Sequence, residues 1–240
     1  MNPPSTSLPP ALFREKRSAG LIRTLWVMLL WATSASLSLD AAQDLRPERW
    51  EGEIAEFERG DQKSPPPKGA ILFVGSSSIR LWTNAAAMFP NRTVLARGFG
   101  GSHLADLNHY IDRIVLPYSP SHILVYEGDN DLAAGKSPRQ VADDFAVFVA
   151  RTREKLPRAR ITYISIKPSK ARWALADKIR ECNGLIARFA ADHRRVGYID
   201  VFNPMLNREG KPREELLGPD GLHMNPKGYE LWRDVIRKHL

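Results

Sequence analysis

Cysteine is almost absent from this 240-residue chain. Cys182 is the only one, which excludes an intrachain disulfide and a cysteine-built zinc site. Its flanks, Ile179-Arg180-Glu181 and Asn183-Gly184-Leu185-Ile186, read as helix, so Cys182 is expected to be a small buried side chain rather than a reactive thiol. Long apolar runs are missing too. The stretch from Leu25 to Ala32 falls short of the roughly 20 residues that a membrane-spanning helix needs. A concentrated basic tract is also lacking. Lys and Arg outnumber Asp and Glu by 35 to 27, but the excess is scattered, and its densest point is only Arg194-Arg195. Without aromatics interleaved among the cations, this reads as a solvated basic surface, and no nucleic-acid partner is expected. No calcium loop is expected at Glu127-Gly128-Asp129-Asn130-Asp131, because no Glu follows at the required spacing. Nor is Gly98-Phe99-Gly100-Gly101-Ser102 a dinucleotide fingerprint, since the third glycine is missing and the loop follows a second strand rather than a first.

The N-terminus carries an address. Arg14, Lys16, Arg17 and Arg23 precede the apolar stretch, and Thr33-Ser34-Ala35-Ser36 follow it, the layout of a secretory signal peptide. Residues 1–42 are therefore read as a signal peptide or an N-terminal membrane anchor, and the protein as exported, periplasmic or extracellular. Membrane contact is expected only through this segment. No cysteine follows the apolar run to carry a lipid. Removing residues 1–42 takes away four basic and two acidic residues, which lowers the net charge from +8 to +6.

Residues 43–69 are expected to form a helix, with Trp50, Ile54 and Phe57 on one stripe, and then a Pro-rich linker at Ser64-Pro65-Pro66-Pro67. Residues 70–240 form the main domain. The apolar run at 70–74 lacks polar alternation, which predicts a central strand buried on both faces, and further strands are expected at 93–96, 122–126, 160–166 and 196–200. Helical patterns at 78–88, 103–115, 137–156, 172–192 and 226–238 separate or follow them. Strands alternating with helices predict an α/β fold with right-handed crossovers and a five-stranded parallel sheet. Such a sheet binds ligands beyond the carboxyl ends of its strands. Ser77, the Gly98–Ser102 loop and the Glu127–Asp131 loop all fall there.

Asp220-Gly221-Leu222-His223 is the most specific signal. This spacing lets an Asp hold one ring nitrogen of a His while the other faces a nucleophile. The serine cluster Gly75-Ser76-Ser77-Ser78 ends the first apolar run and offers that nucleophile, although three serines in a turn also read as helix caps. The Gly98–Ser102 loop reads either as a backbone that approaches a ligand or as a plain turn with Ser102 as cap. The Glu127–Asp131 loop reads as an acidic metal loop, an Asx turn or the source of an amide donor. Asn130 suits the last role because a neutral amide donates without quenching a base.

Four blocks in order resemble the SGNH/GDSL hydrolase family: Phe73-Val74-Gly75-Ser76-Ser77-Ser78, Gly98-Phe99-Gly100-Gly101, Gly128-Asp129-Asn130-Asp131 and Asp220-Gly221-Leu222-His223. The resemblance runs from about Ala70 to the end. It implies a flavodoxin-like three-layer α/β/α sandwich and an open active site with no metal or organic cofactor. It also implies a Ser77–His223–Asp220 triad and an oxyanion hole made by the backbone N–H of Ser77, the N–H of Gly101 and the amide of Asn130. Two positions depart from the family pattern, Ser76 where Asp is usual and Ala96 where Asn is common. Ser77 lacks the Gly-x-Ser-x-Gly elbow of the α/β-hydrolases. The expected activity is that of an exported serine esterase acting on acetylated carbohydrate or on a small acyl or lipid ester. An O-acyltransferase of the cell envelope with the same triad, or a non-catalytic envelope-binding module, are the alternatives. Trp173 and Phe99 are the candidates for the substrate wall, with Lys167 or Arg172 to hold an acidic group. Tyr126 is expected in the core.

Overall fold

The computed structural model describes residues 46–240, so the expected leader at 1–42 lies outside the described residues. Pro47–Leu240 form one compact unit. Five strands, β1 (Ile71–Gly75), β2 (Val94–Gly98), β3 (His122–Tyr126), β4 (Arg160–Ile164) and β5 (Val196–Ile199), make one sheet in the order β2-β1-β3-β4-β5. Every pairing is parallel. This is the doubly wound order of flavodoxin-like proteins, in which the strand order reverses beside β1.

Alternate side chains along each strand enter two different cores, because successive Cβ atoms point to opposite faces. Leu72, Val74, Ile123, Val125, Ile161 and Tyr163 face one core. That core is closed by α1 (Glu51–Lys63), α4 (Leu104–His109), α5 (Ile111–Ile114), α7 (Pro138–Lys155) and α8 (Ala176–Asp192). Ile71, Phe73, Leu124, Tyr126 and Ile164 face the other core, closed by α2 (Ser77–Arg80), α3 (Ala85–Met88) and α9 (Pro226–Ile236). Cys182 is buried in the first core, and burial pushes its thiol up to about 12.

The helix of the 43–69 segment packs into this same unit, with Ile54 wholly buried in the first core. Helix α7 starts as its sequence demands. Pro138 lies in the first turn, Ser137 Oγ accepts from the Gln140 N–H at 3.2 Å, and Gln140 Oε1 accepts from the Ser137 N–H at 2.9 Å.

Elsewhere tertiary contacts cut the expected elements. The helix expected over 78–88 divides into α2 and α3, because Trp82 leaves the helical path and buries against Phe73, Phe89, Tyr229 and Trp232. The one expected over 103–115 breaks at Tyr110, whose hydroxyl donates to the Pro47 carbonyl at 2.8 Å. β4 ends at Ile164 rather than 166. Beyond it the Asn183 side chain takes over the ladder, accepting from the Ile166 N–H at 2.9 Å and donating to its carbonyl at 3.0 Å. Asp129–Ala133, expected as a loop, is a short helix, α6. Gly128 at φ +98° turns the chain from β3 into it.

Candidate active site

Ser77 is the first residue of α2, two positions after the end of β1. Gly75 makes that turn possible. It sits at φ +140°, and a Cβ there would fall 1.9 Å from the Tyr126 carbonyl oxygen. The Ser76 N–H donates to that same oxygen at 3.1 Å, which fixes the approach of the serine turn to β3. Being first in its helix, Ser77 has a backbone N–H with no intrahelical acceptor.

His223 lies 146 positions further along the chain, yet its Nε2 is 2.9 Å from Ser77 Oγ. Its Nδ1 is 2.5 Å from Asp220 Oδ2. The other carboxylate oxygen of Asp220 accepts from the Leu222 N–H at 2.9 Å and the His223 N–H at 3.0 Å. The Leu222 N–H, the His223 ring and the His223 N–H hold the Asp220 carboxyl down at about 2. It therefore stays ionised through any ordinary working pH, though half of its side chain is open to solvent. The Asp–His turn is tied down on three sides. Gly218 donates to the His223 carbonyl at 2.8 Å, Ala171 donates to the Gly221 carbonyl at 3.0 Å, and Lys167 Nζ donates to the Leu222 carbonyl at 2.6 Å.

Gly101, at φ +84°, ends the turn after β2, with the Trp50 indole against it. Asn130 is the second residue of α6, after β3. One N–H of its amide donates to the Ser102 carbonyl at 3.0 Å, and its oxygen accepts from Arg172 Nη2 at 2.9 Å. The amide has a second N–H to offer. Ser77 and Asn130 thus come from the ends of the adjacent strands β1 and β3, where the strand order of the sheet reverses.

Of the two residues expected in a substrate wall, burial removes Phe99. Phe99 is wholly buried, edge-on to Trp50 and Tyr110, so it packs the core and reaches no substrate. Trp173 is partly buried against the first core, with Arg180 and Lys211 over its ring. Lys167 has no exposed side-chain surface, and Arg172 is committed to Asp129 and Asn130.

Glu127 is the residue whose role sequence reasoning missed. It is fully buried beneath the site, and burial, with Asp131 nearby, pushes its carboxyl well above the usual range. Hydrogen bonding agrees. Ser102 Oγ lies 2.9 Å from the Phe99 carbonyl and 2.6 Å from Glu127 Oε1. One hydroxyl hydrogen cannot serve both acceptors. A protonated Glu127 donating to Ser102 Oγ, which donates in turn to Phe99, satisfies the chain. Glu127 thereby steadies the loop that presents Gly101. Only its place in an acidic run after an apolar strand marked it in sequence.

A pH dependence follows. Glu127 holds its proton to higher pH in the fold than in the unfolded chain. Its contribution to stability is complete below the usual carboxylate pKa of about 4.5 and is lost as pH rises toward its raised folded value. Glu127→Gln keeps the donor and removes the titration. Its thermal midpoint is expected to match the parent near pH 4 and exceed it near pH 8. Thermal melts at both pH values check this, and equal offsets at both would show that Glu127 is ionised in the fold.

The family model for GDSL-like lipases/acylhydrolases matches residues 72–231. No curated protein matches the sequence. Among solved structures, a Streptococcus pneumonia protein provisionally described as a platelet activating factor has a TM-score of 0.73 at 19% identity, over 85% of this chain and 98% of its own. A GDSL-like lipase from Bacteroides thetaiotaomicron has 0.64 at 18%, over 81% and 97%. A family 3 carbohydrate esterase from Clostridium thermocellum has 0.57 at 14%, over 70% and 92%. These likenesses are of fold.

Proposed function

This chain belongs to the GDSL-like lipase/acylhydrolase family and is an ester hydrolase of that type, and from that premise we propose that it is an exported serine esterase removing short acyl groups from a bulky polar alcohol such as a carbohydrate. One observation carries the catalytic part, the continuous hydrogen-bonded line from Ser77 Oγ through the His223 ring to Asp220.

His223 Nε2 takes the proton of Ser77 Oγ as that oxygen attacks the ester carbonyl carbon. Asp220 holds Nδ1 protonated, so that Nε2 is free to accept, and balances the imidazolium that forms. The carbonyl oxygen becomes an oxyanion held by the N–H of Ser77, the N–H of Gly101 and the free N–H of Asn130. The tetrahedral intermediate collapses, the carbon–oxygen bond to the alcohol breaks, and His223 returns the proton to the leaving oxygen. Water then repeats the sequence on the acyl-Ser77 ester. The carboxylic acid leaves and the serine hydroxyl is restored. No metal or organic cofactor takes part in these steps.

Two observations favour this pairing of a bulky alcohol with a short acyl group. The acid and base are open to solvent, with 50% of the Asp220 side chain and 29% of the His223 side chain accessible, which leaves room for a large alcohol. Among the described residues the exposed large hydrophobics are only Leu81 and Val147, one from each of two separate helical regions, so no exposed apolar patch awaits a long acyl chain. The carbohydrate esterase among the structural neighbours is in keeping with this reading. Export rests on the charged, apolar and small-residue layout of residues 1–42.

The purified protein is expected to hydrolyse p-nitrophenyl acetate and to bind one equivalent of a serine-reactive phosphonate at Ser77, located by peptide mass spectrometry. Rates should fall as the acyl chain lengthens from acetate to octanoate. Labelling at another serine, or none, would remove the triad from the proposal. Rates that climb with chain length would replace the short acyl group by a lipid one. Transfer of acetyl to an added sugar faster than hydrolysis would make the enzyme an acyltransferase.

A further inference from the structure

Arg172 was a sequence candidate for gripping an anionic substrate, but its guanidinium is already occupied. Nη2 donates to Asn130 Oδ1 at 2.9 Å. Nη1 stands 2.7 Å from Asp129 Oδ1 as an ion pair, off the line of a hydrogen bond, since that oxygen has no hydrogen-bond partner among the described residues. Lys167 Nζ faces the same carboxylate at 3.7 Å. Asp129 is nearly buried, and four-fifths of the Arg172 side chain is covered. The cation is therefore held in place from behind by a buried acid, with one arm turned toward Asn130.

We propose that Arg172 is a positioning residue of the ester hydrolysis, which locks the Asn130 side chain in the one amide orientation that aims an N–H at the oxyanion. An asparagine amide has two orientations related by a half-turn, and they differ in which side donates. In the orientation present, the oxygen meets the Arg172 donor and the nitrogen meets the Ser102 carbonyl, at 2.9 and 3.0 Å. The half-turned amide sets NH2 against guanidinium and oxygen against oxygen. Both hydrogen bonds are then lost and both contacts turn repulsive. The second N–H is thus fixed in direction before any substrate arrives, which is what an oxyanion donor requires, because donors reorganised during the reaction lose much of their effect. Donation from a cation to Oδ1 also draws charge from the amide nitrogen and strengthens its N–H as a donor. Arg172 follows β4, whereas Asn130 follows β3, so the lock joins two neighbouring loops of the site.

The inference rests on Asn130 being an oxyanion donor, and the test separates the two ideas. Arg172→Met, Arg172→Gln, Asn130→Ala and the double variant Arg172→Met/Asn130→Ala are compared by kcat and KM on p-nitrophenyl acetate, with phosphonate labelling as a count of competent sites. Asn130→Ala alone is expected to lose about 10²–10³ in kcat. Arg172→Met is expected to lose about ten- to a hundredfold in kcat with KM within about twofold, because the donor remains but its direction is no longer set. Arg172→Gln can still donate to Oδ1 and should lose less. In the Asn130→Ala background, removing Arg172 should change kcat by less than about twofold. An equal fold-loss in both backgrounds would overturn the proposal, as would unchanged kcat in Arg172→Met. A raised KM at constant kcat would make Arg172 a substrate contact instead. Full kcat in Asn130→Ala would end the oxyanion reading and this inference together. If Arg172→Met does not fold, the same cycle is run with Arg172→Gln, whose equal loss in both backgrounds would be equally decisive against it.

Discussion

Ser77→Ala is expected to abolish esterase turnover, with a loss on the order of 10⁵–10⁶ in kcat. The size follows from what the hydroxyl does. Without Oγ there is no acyl-enzyme, and His223 has no proton to take from the chain. What is left is binding plus the three oxyanion donors, which can act on a water molecule only poorly. The residues of such a relay act as a unit, so Ser77→Ala/His223→Ala should be scarcely slower than either single variant. The fold should not notice. Ser77 is only partly buried, and among the described residues its one side-chain hydrogen bond is to His223, at 2.9 Å. Thermal melts of parent and variant should therefore nearly coincide. Initial rates on p-nitrophenyl acetate, with phosphonate labelling as a second readout, check the prediction. A variant that keeps a tenth of parental activity would show that the nucleophile lies elsewhere.

Gly75→Ala should produce the largest loss of stability. The added methyl has nowhere to go, with the Tyr126 carbonyl oxygen 1.9 Å and its carbonyl carbon 2.8 Å from the new Cβ. Both are backbone atoms of the adjacent strand, so relief requires separating β1 from β3 at the centre of the sheet, where Gly75 pairs with Tyr126 on one side and Gly98 on the other. The φ of +140° adds strain for any residue with a side chain. Overpacking and backbone strain together suggest about 4 kcal/mol. For a domain of this size that is a fall of roughly 8–16 °C in Tm. The Ser77 turn shares the damage, because the Ser76 N–H donates to that same Tyr126 oxygen, so activity should fall in step. Gly60→Ala is the control. It lies on the exposed face of α1 with nothing within 4 Å of its Cβ, and it should gain a few tenths of a kcal/mol or more. A Gly75→Ala protein that melts with the parent would mean that the strands can part at no cost.

Much of the sheet was legible because each strand is a short, mainly apolar run, although only β1 and β3 are buried along their whole length while the edge strands β2 and β5 stay partly exposed. All five runs became strands, shifted by no more than two residues at an end. Helices were legible where they carry a long apolar stripe, as α7 does with Val141, Phe145, Phe148 and Val149. They were misjudged where a single large residue had a better place off the helical path. Trp82 and Tyr110 each end a helix in favour of a distant partner, and nothing local announces that choice. α6 was missed because Asp129-Asn130-Asp131 has loop composition. In the fold those side chains are used up by Arg172, Ser102 and Lys136, and the backbone is free to wind.

Residue identity and spacing by themselves determined the α/β class, the parallel sheet and the placing of the serine turn, two polar loops and the Asp220–His223 pair after strands, while the resemblance to a known family singled out Ser77, Gly101 and Asn130 among them. These are local statements, set by apolar periodicity, by the conformational freedom of glycine and by side-chain reach over three positions. Only tertiary structure decided which atoms meet: that Ser77 Oγ stands 2.9 Å from a ring 146 positions away, that Phe99 turns inward, that burial beneath Ser102 raises the Glu127 carboxyl, and that Arg172 pairs with Asp129 and donates to Asn130. Those outcomes depend on burial and on partners brought together by the crossovers. A carboxylate, a guanidinium or an aromatic ring has no settled role until it is known how much water it has lost and what faces it.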